Sequence, residues 1–179
     1  MSNFEGVLKS HSLRLTESLF SYNKSTMHEL ILTIGIPGCG KSTWASNYCQ
    51  DHPGTIVISS DGIRKELTGS EECIPSMNPW IFSVVQDRVK TGILEHDVIV
   101  DATNVSVNDW TTYKALCPPD TVCKARFFDI DPVTAMERQS HRERQVPREV
   151  LDNMWKILCF SRAFLTQFFD VLLEHFERS

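Results

Sequence analysis

A chain of 179 residues, 41% hydrophobic and 23% charged, is suited to one soluble domain around one sizeable core, which excludes fibrous and disordered classes. Its net charge of −5 argues against a broad surface for coating nucleic acid, although a local basic groove stays open because net charge governs non-specific attraction rather than a site. No run approaches the ~20 apolar residues of a membrane span.

The six cysteines include no C-x-x-C pair, and Met1 to Gly6 lack the basic start and apolar stretch of a secretory signal. Reduced thiols and a cytoplasmic location are expected. Residues 1–27 carry Ser, Thr, Asn and scattered charge around Leu13, Leu15, Leu19 and Phe20. They are expected to form a flexible or loosely docked extension to a domain spanning 28–179.

From His28 the pattern alternates between strand and helix. Leu30 to Gly35 reads as a β-branched apolar strand, followed by a helix to about Cys49. Asp51-His52-Pro53-Gly54 is a turn, and Thr55 to Ser59 is a second strand. Asp61 is expected to cap a short helix ending near Gly69, and residues 70–78 form an irregular loop. Pro79 to about Glu95 reads as a longer helix, with Ile81, Val84, Val85, Val89 and Ile93 on one face.

Val98 to Asp101 is short and apolar, as a strand buried on both faces of a parallel sheet should be. Helix is expected over Val105 to Leu116, strand over Val122 to Asp129, and helix from Asp131-Pro132 through about Gln139. Pro147 opens a further helix to about Phe160. The tail, Phe169 to Leu173, reads equally as a last strand or as continued helix. The alternation predicts an α/β fold, a parallel sheet of four or five strands with helices on both faces.

Gly35 to Ser42 fits G-x-x-x-x-G-K-[ST] directly after the first strand. Gly35, Gly38 and Gly40 let the backbone curl so that its N–H groups, with those of Cys39 to Thr43, converge on a phosphate at the start of a helix. Lys41 supplies a charge to the β/γ oxygens, and the Ser42 hydroxyl suits Mg²⁺. A nucleoside triphosphate is the expected ligand. Cys39 has two readings, a thiol made acidic by Lys41 and the helix start, or a small residue that simply fits.

In an open parallel sheet the ligand lies at the carboxyl ends of the strands. Asp61 and Arg64 follow the second strand, where Asp61 could accept a proton from an attacking hydroxyl and Arg64 could clamp an acceptor phosphate or carboxylate. The blander reading is a helix cap and a solvated cation. Asp101 closes the third strand and could hold Mg²⁺ with Ser42, while Thr103 and Asn104 offer neutral hydrogen bonds to a substrate or merely start a helix. Arg138, Arg142, Arg144 and Arg148 cluster with His141 among acidic residues, either as solvated surface or as a helical lid closing over phosphates.

With these residues placed, the chain resembles the 5′-kinase domain of polynucleotide kinases, both phage end-healing and bacterial RNA-repair enzymes. The matching stretches are LILTIGIPGCGKSTW at Leu30 to Trp44, ISSDGIR at Ile58 to Arg64, VIVDATNV at Val98 to Val105, and ERQSHRERQV at Glu137 to Val146. The resemblance implies transfer of the γ-phosphate of ATP or another NTP, with Mg²⁺, to a 5′-hydroxyl of RNA or DNA. It implies that Asp61 is the general base and that Arg64 binds the phosphate 3′ of the reacting nucleotide. The lid arginines that hold the donor would fall on Arg138 and on Arg142 or Arg144. The alternatives are a kinase of a small hydroxylated molecule, such as a nucleoside, sugar or antibiotic, and an NTP-dependent switch without phosphotransfer.

Overall fold

The structure is a computed structural model that describes residues 27–140 and 145–175, by backbone alone from 171 onward. Among the described residues, five strands form one sheet: β1 (Glu29–Ile34), β2 (Thr55–Ser59), β3 (Asp97–Asp101), β4 (Val122–Phe128) and β5 (Val171–His175). Their spatial order is β2-β3-β1-β4-β5, and every neighbouring pair is parallel. The first helix is α1 (Lys41–Asp51), followed by α2 (Ser60–Thr68), α3 (Asn78–Gly92) and α4 (Val107–Leu116). Then come α5 (Pro132–Gln139), α6 (Arg148–Ser161) and the short α7 (Leu165–Phe168), the last two joined by a 3₁₀ turn.

The period of two along each strand sorts the core onto two faces. Leu30, Leu32 and Ile34 of β1 and Val98 and Val100 of β3 join the larger apolar cluster with Ile63, Ile81, Val85, Trp110, Ala135 and Leu151. Ile31 and Ile99 point the other way, onto Ala45 of α1 with Trp44 and Tyr48 beside it. β1 and β3 lie in the interior of the sheet, and their central residues Leu30, Ile31, Leu32, Val98, Ile99 and Val100 are apolar and buried because both faces are covered. The expected sheet with helices on both faces is what the chain forms.

Some boundaries and caps differ from the sequence reading. The N-cap of α2 is Ser59, whose hydroxyl accepts the Gly62 N–H at 3.3 Å, so Asp61 stands inside the first turn rather than capping it. That correction matters, because a capping carboxylate accepts the helix's own N–H groups, whereas the Asp61 carboxylate bonds Arg64 one turn on. The helix expected from Val105 begins two residues later, since Ser106 and Asp109 form a reciprocal capping box. The ambiguous tail resolves as strand. Asp170 exchanges hydrogen bonds with the Cys123 backbone at 2.8 Å each way, which starts β5 in register beside β4.

Candidate functional site

The carboxyl ends of β1, β2 and β3 meet at one edge of the sheet, and the motif residues follow from them. The loop between β1 and α1 folds against two walls. A Cβ at Gly35 would lie 2.7 Å from Cys39 Sγ and about as close to Phe128, so only glycine admits the loop here. Gly38 has φ of +91°, and a Cβ there would meet the Ala135 carbonyl oxygen of α5 at 2.7 Å. The phosphate loop therefore rests directly on α5.

Two side chains missed by the sequence reading hold the strand ends in place. The hydroxyl of Thr33, at the end of β1, donates to the Val100 and Ala102 carbonyls at 3.2 Å. Gly35 N–H donates to the Thr103 carbonyl at 3.0 Å, fixing the start of the loop to the chain after β3. Gln139 is fully buried at the end of α5. Its Oε1 accepts Val146 N–H at 2.9 Å, pinning the far end of the segment that carries the arginine cluster, and its Cγ lies against Gly38.

Asn104 belongs with these structural ties rather than with substrate contacts. It is only 3% exposed, and its amide donates to the Thr33 carbonyl at 2.9 Å and the Val100 carbonyl at 3.3 Å. Its backbone takes a positive φ of 44°, and its carbonyl accepts the Trp110 indole N–H at 2.7 Å. With both amide hydrogens engaged, the expectation of a substrate hydrogen bond is corrected to a staple between β1 and β3. Thr103 beside it is half-buried.

Lys41, Ser42, Asp101 and Asp61 come together. Lys41 is buried and donates to the Ile36 carbonyl at 2.9 Å and to Cys39 Sγ at 3.4 Å, so its ammonium is held over the loop by the loop's own backbone. Cys39 fills the space under the loop, packed with Phe128 and Ile130, and that packing favours the small-residue reading. Asp101 is buried at the end of β3, hydrogen-bonded to Ser42 and Ser59. Burial pushes its carboxyl above the ordinary range, the nearby Asp61 adds to the rise, and the Ser42 bond and the Lys41 charge pull against it.

A buried carboxylate bonded to the phosphate-loop hydroxyl is a donor set for a hard cation. Among the described residues no three His, Cys, Asp or Glu side chains converge. A Mg²⁺ ion on Ser42 and Asp101 would therefore depend on phosphate and water oxygens for the rest of its shell.

On α2, Arg64 is only 5% exposed and reaches the start of α3. Its Nη1 donates to Asp61 Oδ1 and its Nη2 to Asn78 Oδ1 at 3.2 Å, while its buried Nε has no hydrogen-bond acceptor. Asn78, the first residue of α3, had no motif to mark it. Arg138 is half-buried on the last turn of α5, the helix that carries the phosphate-loop contact. Arg142 and Arg144 lie outside the described residues, and with them the core of the expected lid.

An AAA domain family model matches residues 30–158. Among solved structures, a chain of the Pnkp1/Rnl/Hen1 RNA repair complex superposes with a TM-score of 0.68 at 20% identity, over 79% of this chain and 47% of that one. This chain thus spans about half the length of that relative. A gluconokinase from Sinorhizobium meliloti 1021 superposes at 0.52 with 17% identity, covering 74% of this chain and 75% of its own. Shikimate kinase from Acinetobacter baumannii, in complex with shikimate, superposes at 0.56 with 14% identity over 86% and 87%. The architecture is that of the P-loop kinases.

Proposed function

The chain belongs to the AAA domain family, and from that premise we propose that it is a phosphotransferase moving the γ-phosphate of ATP or another NTP to the 5′-hydroxyl of RNA or DNA. The observation that carries this reading is the acceptor side: a first-turn carboxylate, Asp61, next to a buried guanidinium, Arg64. A buried cation beside the carboxylate suits an anionic acceptor, phosphate or carboxylate, rather than a neutral polyol. A polynucleotide places a phosphate one sugar away from the hydroxyl that reacts, which suits a planar fork of donors. The likeness to a chain of an RNA repair complex supports the same substrate class.

In this reading the loop backbone from Gly35 to Thr43 and Lys41 hold the β/γ-phosphates. Mg²⁺, when bound on Ser42 and Asp101, supplies counter-charge to the phosphate oxygens. Asp61 accepts the hydroxyl proton as the oxygen attacks phosphorus, and Arg64 orients the acceptor through its phosphate. Arg138, on the last turn of α5, grips the donor together with Arg142 or Arg144. Positioning and electrostatics account for most of such a reaction, so each of these residues matters by its placement.

The second reading, a kinase of a small hydroxylated molecule, draws on the gluconokinase and shikimate kinase folds, which this chain matches over most of their length. The test is transfer of labelled γ-phosphate to 5′-hydroxyl oligonucleotides of RNA and DNA beside nucleosides, sugars and sugar acids. Turnover on the oligonucleotides about 10- to 150-fold above the small molecules is expected, the order of one lost charge-assisted contact with phosphate. Preference for a small molecule would move the second reading ahead.

A further inference from the structure

We propose that Gln139 is a positioning residue for the donor: without touching the NTP, its amide holds the last turn of α5, with Arg138, in fixed relation to the phosphate loop. The inference rests on the phosphotransfer reading above, but on its donor half alone. It is therefore the same for a polynucleotide and for a small-molecule acceptor.

The two ends of α5 are held by different means. At the first turn Asp131 caps the helix. The last turn has no glycine to stop it, and Ser140 follows in helical conformation with φ of −55° and ψ of −24°. A helix of eight residues frays at an end that nothing holds. Here the hold comes from a side chain within the turn. Gln139 is 2% exposed, so it offers a ligand almost no surface, and both halves of its amide are engaged. Oε1 accepts the Val146 N–H at 2.9 Å, and Nε2 donates to the Ala135 carbonyl at 3.4 Å. A second tie, from Gln145 Nε2 to the Ser140 carbonyl, is 3.4 Å long and exposed to water, so it adds little.

The Ala135 carbonyl is also the wall of the phosphate loop. It stands 2.7 Å from where a Gly38 Cβ would lie, and Gln139 Cγ stands 3.2 Å from the same point. One side chain thus joins the phosphate loop at Gly38, the α5 turn that carries Arg138, and the chain at Val146 that leads into α6. An apolar side chain of this size would fill the space as well. A buried amide is the more demanding choice, since each of its polar groups must find a partner. What the amide adds is direction, because its two bonds fix the rotation of the turn. The Arg138 guanidinium lies several bonds out from that turn, so a small rotation moves it much further than the backbone. Misplacing a positioning group by about 1 Å can cost about 10²-fold.

The experiment measures kcat, KM for NTP and KM for the acceptor, with equilibrium NTP binding beside them. It uses the wild type, Gln139→Met, Gln139→Glu, Arg138→Ala, and Arg138→Ala combined with Gln139→Met. The methionine keeps the length and the packing on Gly38 but offers the Val146 N–H no comparable acceptor. Gln139→Met should weaken NTP binding about 10- to 10²-fold, the range from one weakened charge-assisted contact to a misplaced group, with KM for the acceptor unchanged. Gln139→Glu keeps an oxygen for the Val146 N–H and should recover most of that loss. Beside Arg138→Ala, Gln139→Met should cost nothing further, because the group it positions is gone.

A merely structural role predicts losses that spread to the acceptor KM and persist in full beside Arg138→Ala. Either result overturns the proposal, as does near-wild-type NTP binding by Gln139→Met. If that variant does not fold, Gln139→Asn, one methylene short of Val146, takes its place in the same cycle. A wild type that binds NTP yet transfers phosphate to no hydroxyl removes the phosphotransfer reading, and the binding cycle still decides the role of Gln139.

Discussion

At the scale of single residues, the proposed donor side rests on Lys41 and Asp101 in different ways. Lys41 is held over the loop by the Ile36 carbonyl, so its charge is already in position before a phosphate arrives. Lys41→Ala should lower kcat by at least about 10²-fold, as loss of one preorganised electrostatic partner does. Steady-state transfer with folding checked by circular dichroism measures this, and near-wild-type activity would remove the phosphate-loop assignment. Asp101 is an ionisable group whose burial disfavours its charge. Asp101→Asn should therefore leave the melting temperature equal or higher while abolishing the response of activity to Mg²⁺. A marked loss of thermal stability would mean that its bonds to Ser42 and Ser59 hold the fold rather than the cation. Asp61→Asn keeps the side-chain shape and should cut kcat by about 10²–10⁴-fold with NTP binding preserved, which equilibrium nucleotide titration beside the rate assay would show.

At the scale of elements, α5 connects the phosphate loop to the arginine segment, and its first turn is set by Asp131. The Asp131 side chain accepts the N–H groups of Val133 and Thr134 and the Thr134 hydroxyl, which hold its carboxyl below the ordinary range. A lowered folded-state value means stability that is present above the unfolded value and lost as pH falls through the folded one. Asp131→Ala should thus cost about 0.5–2 kcal/mol near neutral pH. The difference from wild type should shrink below about pH 4, where the unfolded-state carboxyl protonates, and denaturant melts across that range measure it. Gly38→Ala attacks the same junction from the other side, because its Cβ would collide with the Ala135 carbonyl of α5. It should raise the KM for NTP and lower stability by about 1–3 kcal/mol.

The elements themselves were largely legible from the chain. β1 and β3 announce themselves as apolar runs because both faces are covered, and α5 by Asp131-Pro132. Signals of that kind are local, and local signals are what a sequence carries openly. The bond from Arg64 to Asn78 spans 14 positions and the Asn104 tie to Thr33 spans 71, so neither leaves a pattern in any short window. Asp61 reads as the helix cap rather than a first-turn residue, because Ser59, Ser60 and Asp61 are all good caps and only the fold selects Ser59.

At the scale of the whole molecule, the proposed single-stranded acceptor is compatible with a net charge of −5 only if few contacts reach its backbone. With roughly two or three phosphates engaged, log KM for an oligonucleotide should rise with log salt at a slope of about 1.4–2.1. A slope several times steeper, measured between low and physiological salt, would reveal a basic track elsewhere on the protein.

The strand order has a further consequence, for the order of synthesis. β1 leaves the ribosome first and sits at the centre of the sheet, yet both of its partners, β3 and β4, come much later in the chain. No hairpin can shelter it, since every pairing is parallel. β2 offers no help either, because it pairs with β3 alone within the sheet. At about 5–20 residues per second, the stretch from Ile34 to Asp97 takes several seconds to make, during which the central, buried strand of the sheet stays unpaired in the nascent chain. Such an interval invites chaperone binding and self-association before the first pair of strands exists. Nascent chains halted before Asp97 should leave β1 open to protease, whereas chains extended past Phe128, with β4 clear of the ribosome, should protect it.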